Sequence, residues 1–219
     1  MYQNRIIAIV AVIMLLGAGA VTARADSFDV SLNTSSLSGT TLTLAFGLTN
    51  NDGAVNNSVE LTDFAFGGGA ASAGTEDCTL GGILSGVGCS GNLTSGVALD
   101  DSGDEAFFTE QFSAGSSLSF ALDTTHNFAG GSPDGFAMYV CDAAFSTCYS
   151  DDSNTLAMLI LGLNGVTLTP SSFTLNGASA EGLPAPVVTA ASVNTPEPGS
   201  LVLLSVGFIA LLCLSRRML

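Results

Sequence analysis

The sequence predicts an all-β fold, an antiparallel β-sandwich of jelly-roll type. Two observations carry this. Apolar and polar residues alternate with period two along several short runs, and clusters of Gly, Asn and Ser separate those runs. Period-two alternation marks a strand with one buried face. Gly and Asn tolerate positive φ and so punctuate strands. Many short strands between such turns suit two packed antiparallel sheets.

The strands read in order along the chain. Phe28, Val30 and Leu32 alternate with Ser27, Asp29 and Ser31. Leu42, Leu44, Phe46 and Leu48 alternate with Thr41, Thr43, Ala45 and Gly47. Val59 and Leu61 are followed by Phe64 and Phe66, a one-residue slip of phase that predicts a β-bulge at Thr62-Asp63. Leu118, Phe120 and Leu122 alternate within Ser117–Asp123. The runs 135–140 and 155–163 are apolar on both phases, as central strands are, although the second is long enough for a short helix. The segments 166–169 and 173–175 read as closing strands. Turn clusters occupy 49–57, 67–74, 81–96, 100–104 and 130–133, and no repeat period of solenoid or propeller kind is present.

The ends of the chain differ in kind from this middle. Arg5, the apolar run Ile6 to Leu16 and the small-x-small site Ala23-Arg24-Ala25 predict a secretory signal peptide over 1–25, cleaved between Ala25 and Asp26. The sandwich domain then covers 26–177. An Ala-, Ser-, Pro- and Val-rich stretch over 178–195 reads as a loose extended linker. From 196 onwards a proline-bracketed tripeptide precedes an apolar run of 17 residues, Gly199 to Ser215, and then Arg216-Arg217. Such a run is at the lower limit for spanning a bilayer, and the arginines form a positive stop, so a single C-terminal transmembrane helix is predicted.

Charge limits the partners. The chain has four Arg, no Lys and 19 Asp plus Glu, for a formal net charge of −15. All four arginines lie in the terminal segments, and none lies between Asp26 and Ser215. A surface of this sign repels nucleic acid and anionic lipid, so no nucleic-acid partner is expected. A domain without cations cannot form Lys or Arg salt bridges, and its fold must rest on burial and hydrogen bonds.

Four of the five cysteines fall in two near pairs, and Cys213 stands apart in the C-terminal apolar run as a small apolar residue. In an exported chain, Cys78 with Cys89 and Cys141 with Cys148 read as two local disulfides. The two other pairings of these four stay open, and zinc is disfavoured by the wide spacings. Candidate chemistry is sparse. His126 is the single histidine, and with Asp123 it could enter a Ser-His-Asp triad only if a nucleophile elbow accompanied it, which the sequence lacks. Carboxylate pairs at Asp100, Asp101, Asp104 and Glu105, and at Asp151 and Asp152, could in principle serve a glycosidase. The absence of Trp argues against a sugar-stacking cleft. No cofactor is predicted. Calcium is the one ligand the sequence leaves open, at Asp100, Asp101, Asp104 and Glu105, which supply oxygen ligands without EF-hand spacing.

The tail, Thr195-Pro196-Glu197-Pro198-Gly199-Ser200 with its apolar run and Arg216-Arg217, resembles the PEP-CTERM sorting signal. Pro196, Glu197 and Pro198 match the motif, and Arg216 and Arg217 match its basic cluster. The resemblance implies sorting by an exosortase-like membrane protease in a Gram-negative bacterium that makes extracellular polysaccharide. It implies transient residence in the inner membrane through the C-terminal helix, then the cell surface or matrix. The expectation is therefore a non-enzymatic surface or matrix protein, with polysaccharide as a partner. The alternatives are a divergent secreted hydrolase using acidic residues and a calcium-dependent adhesion module.

Overall fold

The computed structural model describes residues 25–79, 87–150, 154, 156–177 and 183–191. The signal peptide before Ala25, the carboxylates Asp151 and Asp152, and the tail with Pro196, Glu197, Pro198, Arg216 and Arg217 lie outside them. Among the described residues no helix is long and apolar enough to cross a membrane.

Among the described residues, twelve strands form two six-stranded antiparallel sheets in a sandwich-like arrangement. The first sheet is ordered β12-β1-β8-β3-β6-β5. Its members are β12 (Val187–Ala190), β1 (Ala25–Asn33), β8 (Ser117–Thr125), β3 (Ser58–Ala65), β6 (Gly96–Asp100) and β5 (Cys89–Asn92). The second is ordered β11-β10-β9-β2-β7-β4. It contains β11 (Phe173–Leu175), β10 (Leu159–Leu163), β9 (Asp134–Asp142), β2 (Thr41–Thr49), β7 (Glu105–Ser113) and β4 (Ala70–Ala71).

The alternation read in the sequence becomes the core. Phe28, Val30 and Leu32 of β1 and Leu118, Phe120 and Leu122 of β8 turn inward and are buried. Leu42, Leu44, Phe46 and Leu48 of β2 meet them from the other sheet. Phe46 joins the layers: its ring centroid lies 5.5 Å from that of Phe120, edge-on, and 6.1 Å from that of Phe64. Phe28 and Phe173 close the sandwich elsewhere with an edge-to-face contact at 4.9 Å. Edge-to-face pairing lets the positive ring edge meet the negative face, which adds to simple burial.

The predicted bulge is present. The β3–β8 register shifts between Thr62 and Ala65, and Asp63 takes φ 55°. One extra residue there returns Phe64 and Phe66 to the core. The run 135–140 lies in β9, an interior strand between β10 and β2. The helical option for 155–163 is replaced by a strand that begins at Leu159.

Three expectations change. The segment 166–169 is not a strand; the chain instead enters a 3-10 turn at Pro170–Ser172, capped by Thr169, whose side chain meets Ser172. Proline at the first turn position fixes φ for that turn. The expected linker 178–195 contains β12, which pairs with β1 from Val187 opposite Ser31 to Ala190 opposite Phe28. Only Val188 of this strand is buried, too short a signal for periodicity. The turn clusters at 67–74 and 81–96 contain the short strands β4 and β5.

Candidate functional site

Following strand directions places the loops at two poles. At one, the chain enters the sandwich at Ala25, opposite Thr125, and leaves it at Ala191, whose amide donates to the Ser27 carbonyl. This exit pole also gathers the loops 50–57, 101–104, 126–133 and 164–169. It holds every carboxylate proposed for calcium and the lone histidine.

A network of Asp and Asn side chains builds the exit pole. Asp134, fully buried, accepts from the amides of Asn51 (2.7 Å) and Asp52 (3.1 Å) on one oxygen, and from Asn57 Nδ2 (2.7 Å) on the other. Asp101, also fully buried, accepts from the amides of Asn56 (3.0 Å) and Asn57 (2.9 Å). Asn57 links the loops further: its Oδ1 accepts from the Asn127 amide at 2.8 Å. With no cation in the domain, these carboxylates can be buried only by receiving backbone and amide N–H groups, which supply the compensating positive potential. Burial raises Asp101 above its usual value; its two loop amides oppose that, and neighbouring Asp134 adds to it. Asp52 is held low, chiefly by the amides of Ala129 and Ala54.

The calcium candidates do not converge. Asp101 points into the pole, as above. Asp100 and Asp104 are exposed, and Asp100 accepts from the Ser102 amide at 3.0 Å in a local turn. Glu105 opens β7 beside Tyr139, and burial raises both groups above their usual values. Among the described residues no group of three or more His, Cys, Asp or Glu could hold a metal. The loop is thus a structural turn with one inward anchor. Local sequence cannot show this, because the amides that claim Asp101 lie some 45 residues away.

His126 is buried, and its Nδ1 lies 3.1 Å from Asp26 Oδ2. Neither ring nitrogen completes an aligned hydrogen bond. The same Asp26 oxygen accepts from the Leu168 amide at 2.7 Å. Asp123 is engaged instead by the Ser27 hydroxyl across the β1–β8 pair. The two triad candidates therefore serve different contacts. The proposed cleavage bond, Ala25–Asp26, falls at the first residue pair of β1, and Asp26 is the residue that ties β1 to His126 and Leu168.

The cysteine pairs come together as read from their spacing. Cys78 is at bonding distance from Cys89, with Cα atoms 5.7 Å apart, and Cys141 is at bonding distance from Cys148. The second pair closes the loop 142–147, which covers the outer face of the second sheet: Phe145 packs edge-on against Phe107 at 6.0 Å.

One buried acid escaped the sequence reading. Glu110 occupies an inward position of β7, only 1% exposed. Its Oε2 accepts from the Leu93 amide at 2.6 Å, while Oε1 is buried without a hydrogen-bond partner. Burial raises it above its usual value; the Leu93 amide opposes this and Glu76 reinforces it.

Comparison with known proteins bears on the tail alone. Residues 194–217 match the family model described as the PEP-CTERM protein-sorting motif. No curated protein and no solved structure matches the chain. The chain therefore carries a PEP-CTERM sorting motif. That motif supports a secreted protein sorted through a C-terminal signal in a Gram-negative bacterium, and it implies processing by exosortase, a membrane protein.

Proposed function

We propose that the sorting tail is the working site of this chain, and that the sandwich is non-enzymatic cargo with a structural or interaction role in extracellular polysaccharide. The motif at 194–217 is the observation that carries this reading. The disposition of the acidic groups supports it. Asp101 and Asp134 spend their oxygens on loop amides and Asp123 on a hydroxyl, and His126 is buried beside Asp26. A surface without Lys or Arg stays hydrated among polymers and avoids nucleic acid. Signal-peptide cleavage at Ala25-Asp26 and tail processing beside Pro196-Glu197-Pro198 would release the sandwich with almost nothing attached.

The test is to replace Pro196, Glu197 and Pro198 with alanine in the native host. An unprocessed, heavier form should accumulate in the inner membrane, and the polysaccharide fraction should lose the protein. Arrival of the variant at the surface with normal mass and amount would overturn the reading.

A further inference from the structure

The chain leaves the sandwich beside the place where it enters, and this sets how the tethered protein can lie. β12 runs antiparallel to β1, so Ala191 emerges next to Ser27 at the exit pole. From Ala191 to Pro198 there are eight residues before the apolar run begins at Gly199. Fully extended they reach about 28 Å. A nine-residue strand such as β1 is itself about 30 Å long. The tether is thus too short to pass along the sandwich and let the opposite pole turn toward the bilayer.

Most of the large apolar side chains that the described residues expose stand at the exit pole; Leu156 and Val187 are exposed toward the opposite one. Val55 (68% exposed), Phe128 (43%) and Val166 (56%) stand on its loops. Phe128 Cβ lies against Gly165, next to Val166, and Asn127 Nδ2 donates to the Asn56 carbonyl, next to Val55. Val87, 44% exposed, packs near Gly103 in the 101–104 loop. Beneath them Asp52, Asp101 and Asp134 are turned to loop amides. Asp100 and Asp104 remain exposed at the rim, which excludes an anionic headgroup surface.

We infer that, while its tail is in the membrane, the protein rests its exit pole on a neutral lipid surface through Phe128, Val166 and Val55. This rests on the reading of Gly199–Ser215 as membrane-inserted. Exposed apolar side chains on a surface held close to lipid gain by leaving water, and the tether holds them within reach. The arrangement brings Pro196-Glu197-Pro198 between the sandwich and the bilayer, where a membrane protease must meet it.

The tail-bearing chain, in a Cys213→Ser background, would carry a fluorophore at Phe128→Cys, at Val166→Cys or, at the opposite pole, at exposed Ser38→Cys. Each is reconstituted into phosphatidylcholine vesicles bearing a headgroup nitroxide quencher. Probes at 128 and 166 should be quenched several-fold more than the probe at 38; position 166 serves should the Phe128 variant misfold. Equal or reversed quenching in a chain that floats with the vesicles overturns the orientation and leaves the tail reading intact. A chain that does not float with them overturns both.

Discussion

At the exit pole, loop amides of Asn51, Asp52, Asn56 and Asn57 are held by the buried carboxylates of Asp134 and Asp101. At the opposite pole the loops 34–40, 66–69 and 114–116 close largely through backbone groups: Gly69 N–H to the Phe66 carbonyl, Ser116 N–H to Gly67, Gly39 N–H to Ala114. Close approach there is made by glycine. A Cβ on Gly115 would collide with the carbonyls of Phe66 and Gly67, and one on Gly69 with the Ser113 carbonyl. The contrast teaches how a domain without lysine or arginine holds its loops. Where side chains do the work they are Asp and Asn, buried against N–H groups; where they do not, Cβ atoms are absent. The first device titrates, and the second does not.

The largest expected effect breaks the exit pole. Asp134→Ala removes the acceptor for three donors, two of them loop amides. The buried Asn57 amide left without a partner costs about 1–3 kcal/mol and each lost loop-amide bond about 1 kcal/mol, so denaturant unfolding should show a loss of about 4 kcal/mol. Asp134→Asn keeps the shape and one acceptor oxygen, and should lose about half as much.

Next comes the opposite pole. Gly115→Ala forces a methyl into backbone carbonyls and should cost about 3 kcal/mol by the same measurement. Its effect should not change with pH, whereas that of Asp101→Asn should.

The pH dependence of the wild type sharpens the same comparison. Burial raises Asp101 above 3.8, and Glu105 and Glu110 above 4.5. In the folded chain these groups keep their protons at pH values where the unfolded chain has released them. Their contribution is complete at and below the ordinary values and is lost as pH rises through the folded ones. The melting temperature should therefore climb as pH falls from 7 toward the ordinary carboxylate range. Below 3.8 the trend should reverse, because Asp52 and Asp142, held low by Ala129 and Ala54 amides and by the Ser146 hydroxyl, lose their bonds on protonation. Scanning calorimetry across this range checks both limbs, and Glu110→Gln should flatten the first.

The smallest effect concerns the exposed half of one loop. Asp104→Ala should change stability by less than about 0.5 kcal/mol, in contrast to Asp101 three residues earlier. Addition of calcium should leave the melting temperature of both wild type and Asp104→Ala unchanged.

Much of the sandwich was legible from alternation: β1, β8 and the bulged β3 are half-buried, and β2, although buried on both faces, keeps its large apolar side chains on one of them. β7 was not, although it neighbours β2. Its Ala106, Phe107 and Phe108 are buried on both phases, and Glu110 puts an acid where alternation demands an apolar residue. Phe107 is covered on the outer face by Tyr139 and Phe145, a layer that only tertiary structure supplies. β12 escaped because one buried valine is no pattern. The cysteine pairs were legible as short loops in an exported chain. The fate of the acidic loop was not: Asp101 and Asp104 look alike in sequence, and only the distant amides of Asn56 and Asn57 distinguish them. The sorting motif needed no structure at all, since its parts lie in sequence order.

The central claim is that the sandwich is cargo trimmed at both ends. Intact-mass spectrometry of the protein recovered from the native host's polysaccharide fraction tests it most directly. The recovered chain should begin at Asp26 and lack the apolar run Gly199–Ser215 with Arg216 and Arg217. A surface protein that retains that run would contradict it, and would make the tail a permanent anchor.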